Sequence, residues 1–123
     1  MDFRIFQKLL FSNIDPTVKA FVDTPLGELK NCTRHQLVIA ITPAAAAGTV
    51  KVRGLCFSTQ LPAAAFDSRL DAISMATLGT QAFVFYGLFD ALRFDFSGFA
   101  GGSKLAAEIV SHQSTLKWSG NAP

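Results

Sequence analysis

Charge is what this sequence has least of. Asp, Glu, Lys and Arg make up 16% of its 123 residues, against about 25% in ordinary soluble domains. The basic residues run from Arg4 to Lys117 and never stand side by side. No basic track exists for a phosphate backbone, so nucleic acid is not an expected partner. The two cysteines, Cys32 and Cys56, are too few for a disulfide framework and form no Cys-x-x-Cys pair. Both read as small, free, largely buried apolar residues. A single bridge between them stays open, because sequence fixes no distance. Cys32 and His35 make a lone Cys-x-x-His with no second pair to complete a zinc site. His35, in an expected turn, and His112, at the end of the last strand, therefore read as surface histidines. No metal or cofactor is expected.

Catalytic arrangements are missing too. No Gly-x-Ser-x-Gly elbow presents a serine. Asp67 and Asp71 would share a helix face, but with no neighbour of opposite character they read as solvated. Asp90 and Asp95 read as facing solvent, beside Arg93 or Lys104. The glycines from Gly98 to Gly102 lack a following Gly-Lys-Ser/Thr and open a strand, so no helix N-terminus waits there for an anion. The chain reads as no enzyme. No run approaches the ~18 apolar residues of a membrane helix, and MDFRIFQKLLF lacks the apolar core and cleavage site of a signal peptide. Neither a membrane partner nor secretion is expected. One Trp and one Tyr stand against 12 Phe. Wet ligands such as sugars and single-stranded nucleic acid favour Trp and Tyr, so the phenylalanines point to a core or a dry protein interface.

What is present is strand after strand. Residues 3–11 fit neither period well; a strand is favoured over a short helix by the Phe and Ile content. Thr17–Asp23 alternates with Val18, Ala20 and Val22 on one face, and Thr24–Gly27 has turn composition. Gln36–Thr42 is a continuous β-branched run, the pattern of a strand covered on both faces. In Thr49–Phe57, Val50, Val52 and Cys56 point one way and Lys51 and Arg53 the other, with Gly54 as a candidate bulge. Ser58–Thr80 is either a short helix after Pro62 or a long loop with a short strand near Ala72–Met75. Three strands close the pattern. Ala82–Leu88 splits Phe83 and Phe85 from Val84 and Tyr86. Ala91–Ser97 turns Leu92, Phe94 and Phe96 inward, with Arg93 and Asp95 outward. Lys104–Ser111 sets Leu105, Ala107 and Ile109 against Lys104 and Glu108. Gly98–Ser103 is a loop with unusual backbone angles. Strands about ten residues apart, divided by Gly and Pro, predict an all-β antiparallel sandwich or jelly-roll-like fold with at most one short helix. The expected organisation is an N-terminal arm or edge strand over 1–16, a sandwich over 17–112 and a polar tail over 113–123. On that reading residues 1–11 are removable without unfolding the domain.

The segments ITPAAAAGTVKVRG and YGLFDALRFDFSGFAGGSKLAAEIV resemble small structural proteins of tailed bacteriophages. The matching residues are Ala47, Gly48, Val50 and Val52, then Gly87, Phe89, Asp90, Leu92, Arg93, Ser97 and Gly98, and the resemblance covers about half of the chain. It implies a β-sandwich virion component made in the host cytoplasm, most simply a capsid decoration protein bound to the major capsid or another virion protein. The alternative is a ligand-binding module of a tail or head fibre, for instance for carbohydrate. The low charge predicts a homo-oligomer, and the resemblance favours a trimer. Candidate interface residues are Phe3 and Phe6 in the N-terminal segment, Arg93, Phe99 in the glycine loop and Trp118 in the tail. Arg93 would either grip a partner carboxylate or pair within the chain.

Overall fold

The computed structural model describes residues 3–42, 47–56, 66–76 and 79–114. Eight strands form two four-stranded sheets: β1 (Phe3–Ile14), β2 (Phe21–Pro25), β3 (Arg34–Thr42), β4 (Thr49–Leu55), β5 (Ile73–Ser74), β6 (Thr80–Tyr86), β7 (Ala91–Ser97) and β8 (Lys104–Ser114). Sheet A has the order β1-β8-β3-β6 and sheet B the order β2-β7-β4-β5. Every pairing is antiparallel. The expected all-β sandwich is what the chain forms. A 3-10 turn over Gly27–Asn31 is its helical element among the described residues.

The core lies between the sheets. Leu37, Ile39 and Ile41 of β3, Phe85 of β6 and Leu105, Ala107 and Ile109 of β8 face Val50 and Val52 of β4 and Leu92, Phe94 and Phe96 of β7. Alternation produces this arrangement, since residues two apart on a strand share a face. The inward residues read from β4, β6, β7 and β8 are the buried or part-buried ones.

β1 is a twelve-residue edge strand paired along β8, from Phe3 opposite Ser114 to Ile14 opposite Leu105. Its register shifts between Leu9 and Phe11 and again before Ile14. The first shift explains the poor period. Leu9 and Phe11 would share a face in a regular strand, but the extra residue lets Leu9 face solvent while Phe11 enters the core, 8% exposed. Asn13 adopts φ 56° near the second shift, a left-handed conformation that Asn tolerates better than most residues.

Four expectations fail locally. The strand expected over Thr17–Asp23 begins only at Phe21 and runs through the Thr24-Pro25 pair expected to turn. Asp15 holds the preceding turn: its carboxylate accepts from the Thr17 N–H (2.9 Å) and hydroxyl (2.6 Å). Val18 is left 78% exposed. Pro25 is tolerated because it ends an edge strand. β3 is not covered on both faces: His35, Leu37, Ile39 and Ile41 are buried, while Gln36, Val38, Ala40 and Thr42 are not. Gly54 is not a bulge, as β4 pairs with β7 residue for residue from Thr49 to Leu55. Its missing side chain makes room for the Phe89 ring, which a Cβ at this position would overlap. Of Ser58–Thr80, the described part is a turn over Ser68–Leu70 followed by β5, in line with the loop reading.

Candidate interaction surface

The sandwich has two outer faces, and they differ in chemistry. On sheet B, Phe21 lies beside Asp95 and Lys51, and Asp23 beside Arg93 and Arg53. Each carboxylate of this face is held by an arginine, while Lys51 makes no ion pair among the described residues. Arg93 donates Nε to Asp23 Oδ1 (2.6 Å) and Nη2 to Oδ2 (2.8 Å), and its guanidinium sits 4.5 Å above the Phe21 ring. Arg53 pairs with Asp95 at 3.2 Å. The hydrogen bond from Arg93 holds the Asp23 carboxyl below its ordinary range. Asp95 thus pairs with Arg53 rather than Arg93, and Lys104 pairs with Asp15. The two pairs on the sheet B face are too exposed to add much stability; their effect is to occupy that face.

The outer face of sheet A follows from the register. Ile5, His112, Arg34 and Tyr86 form one row across the four strands; Gln7, Val110, Gln36 and Val84 form the next; Leu9, Glu108, Val38 and Ala82 the third. None of these residues is buried. Ile5 is 65%, Leu9 58% and Tyr86 67% exposed. Only Arg34 and Glu108 carry a formal charge among the twelve, and among the described residues no cation pairs with Glu108. Arg34 Nη1 donates to His112 Nε2 at 3.2 Å.

Beside β1 lies a groove of about 350 Å³ lined by Phe6, Gln7, Lys8 and residues Leu26 to Leu29. Lys8 faces inward there and donates to the Pro25 carbonyl at 2.7 Å. An inward charge and a shifted register both discourage another strand from adding to this long edge.

The sequence-derived candidates are dispersed. Phe6 and Phe99 pack part-buried against the core, Phe99 edge-on to Phe96. Arg93 is held by Asp23. Phe3 begins β1, opposite Ser114. Trp118 lies outside the described residues. Cys32 is buried, and burial pushes its thiol pKa up. Cys56 is exposed, contrary to expectation, because β4 has ended at Leu55 and its alternation with it. Both are free thiols. Asp67 pairs with Arg69 within a turn rather than on a helix. Among the described residues no group of three His, Cys, Asp or Glu side chains could hold a metal ion.

His35 is the largest correction. It is fully buried in β3, not on the surface. Its Nε2 donates to the Gly87 carbonyl (3.0 Å), its Nδ1 accepts from the Ser111 hydroxyl (2.7 Å), and its ring stacks on Phe85 at 4.9 Å. Both nitrogens are satisfied by a neutral ring, and burial lowers its pKa below the ordinary 6.5. Below pH 6.5 the unfolded chain takes up a proton that the folded chain refuses. Stability is therefore expected to fall as pH drops through 6.5, and to level off below the folded-state pKa. Urea midpoints measured from pH 8 to pH 5 should show this slope, and His35→Gln should remove it. A flat wild-type profile would show that His35 is not buried neutral.

No single strand reveals the outer face of sheet A. The available signal was apolar residues at solvent-phase positions of neighbouring strands: Val38 and Ala40, Ala82 and Val84, Ala106 and Val110.

No protein-family model matches the chain, and no curated protein sequence matches it. The fold is similar to known structures. The SPBc2 prophage-derived protein YomS superposes with a TM-score of 0.57 at 9% identity, over 92% of this chain and 96% of that one. The coat protein of Tobacco streak virus superposes with a TM-score of 0.50 at 11% identity, as a dimer structure over 94% of this chain and 88% of that one. A structure of that coat protein in a C2 crystal form gives the same score and identity over 91% of this chain and 86% of that one.

Proposed function

We propose that the chain is a non-enzymatic structural protein of a virion, made in the host cytoplasm, which binds the assembled shell as a decoration protein. The observation that carries this reading is the weakly charged outer face of sheet A, which marks the chain as one part of a larger assembly, on a sandwich whose opposite face has both its carboxylates held by its own arginines. Its apolar residues, among them the exposed Ile5, Leu9 and Tyr86, are what a partner would cover. The sandwich shared with a prophage-derived protein and a plant-virus coat protein supports a virion role, as does the phage-like sequence pattern.

Shell attachment is assigned to the end of sheet A where Phe3 lies opposite Ser114. The segment carrying Trp118 is joined to the sandwich there. Phe6, Phe99 and Arg93 contribute less, since the first two pack on the core and the third is held by Asp23. Each attached subunit adds apolar burial worth ~25 cal/mol per Å², less the cost of association. Many weak contacts on one particle act together.

Particles assembled with and without the protein test this reading. Complete particles should survive heat and osmotic shock that open the others, and Trp118→Ala should lower occupancy on the shell. Equal survival, with the chain located at a tail tip and binding sugar, would replace decoration by the fibre-module reading.

A further inference from the structure

We propose that the outer face of sheet A is a two-fold self-association surface whose occupant is a second copy of this chain. The proposal holds whether or not the chain sits on a shell, and its test needs no particle. It rests on the arrangement of charge and bulk over the three rows. Place a two-fold axis across the strands, along the row Gln7, Val110, Gln36 and Val84. The first row of one copy then meets the third row of the other, strand over the same strand, and the middle row meets itself. Glu108 of one copy lies opposite His112 of the other and diagonal to Arg34. Ile5 lies opposite Leu9, and the large Tyr86 opposite the small Ala82. Val110 and Val84 meet their own copies at the axis.

This complementarity is self-directed. Glu108, which has no ion-pair partner among the described residues of its own chain, would find the Arg34–His112 couple of the other, twice by symmetry. Such a patch, matched to itself, is what an isologous interface requires. Sheets stacked face to face pack about 10 Å apart, close enough for these side chains to meet. A four-stranded face is roughly 19 Å wide and ~24 Å long over seven residues. That is a small footprint beside the ~800 Å² per partner of standard interfaces, so a micromolar equilibrium is expected rather than an obligate dimer. The sheet B face offers no such match, because its carboxylates are already taken. The threefold order expected from sequence had its basis in the phage resemblance; the row pattern favours two.

Sedimentation velocity of the full chain, from about 1 to about 200 µM, should show a monomer–dimer equilibrium that weakens with added salt. Glu108→Arg sets like charges against Arg34 and should raise the dissociation constant about tenfold or more. Adding Arg34→Glu to that variant should restore association. Val110→Lys, which brings two lysines together at the axis, should leave only monomer. Thermal melts of each variant establish that it is folded. A strict monomer, a trimer, or a dimer indifferent to both Glu108→Arg and Val110→Lys overturns the proposal. Should the charge variants fail to fold, a wild-type dimer insensitive to salt overturns it equally.

Discussion

A chain without residues 1–11 is expected to lose its cooperative fold. The deletion removes most of β1, including Phe11, which lies in the core against Phe94 at 5.0 Å and Phe96 at 6.1 Å. Truncating one such buried ring costs about 3–5 kcal/mol. The deletion also takes away Phe6 and Leu10, which pack on the core, and bares the hydrogen-bonding edge of β8 along its length. Domains of this size hold only about 5–15 kcal/mol in total. Far-UV circular dichroism against urea should show no cooperative transition, and the freed β8 edge should promote aggregation. A truncated chain that melts cooperatively near the wild-type temperature would restore the detachable-arm reading and remove β1 from the fold.

That outcome turns on what the sequence could and could not reveal. β7 was legible because Arg93 and Asp95 alternate strictly with Leu92, Phe94 and Phe96, so one period fits every residue. β1 was half legible: its composition pointed to a strand, yet the register shift at Leu9–Phe11 breaks the alternation by which a strand is recognised. Its importance to the core was invisible, because a shifted strand reads as irregular chain. β2 was displaced because the Asp15 carboxylate winds residues 15–19 into a turn, whereas Val18, Ala20 and Val22 offered a tempting alternation. The burial of His35 is not legible in sequence, because a buried histidine needs partners from distant chain, and Ser111 and Gly87 are unrelated to it in sequence. The outer face of sheet A needed the order β1-β8-β3-β6 before its rows existed at all. Inward positions follow from one strand, but a surface patch follows only from the neighbours of that strand.

Phe94→Ala is expected to destabilise the chain by about 3–5 kcal/mol, while Phe94→Leu should cost under about 1.5 kcal/mol. Phe94 is fully buried. It lies on β7 between Val22 of β2 and Val52 of β4 and stands edge-on to Phe11 across the sandwich. Removing the ring opens a cavity where both sheets press inward, and the backbones on either side are held in register by their own hydrogen bonds. The walls therefore relax only in part, and the cavity cost adds to the lost transfer energy. Leu refills most of the space. Urea titrations read the difference as a lower midpoint at constant slope. A loss below about 1 kcal/mol for the alanine variant, when Phe→Ala in a packed core costs about 3–5 kcal/mol, would mean that the two sheets are not packed through Phe94. The leucine variant carries a second expectation. Phe94 faces inward, so Phe94→Leu leaves every row of the sheet A face unchanged. It should lower stability slightly and leave the dimer dissociation constant where it was, whereas Glu108→Arg should do the reverse. That crossing of effects separates what holds the sandwich together from what the sandwich presents to its partner.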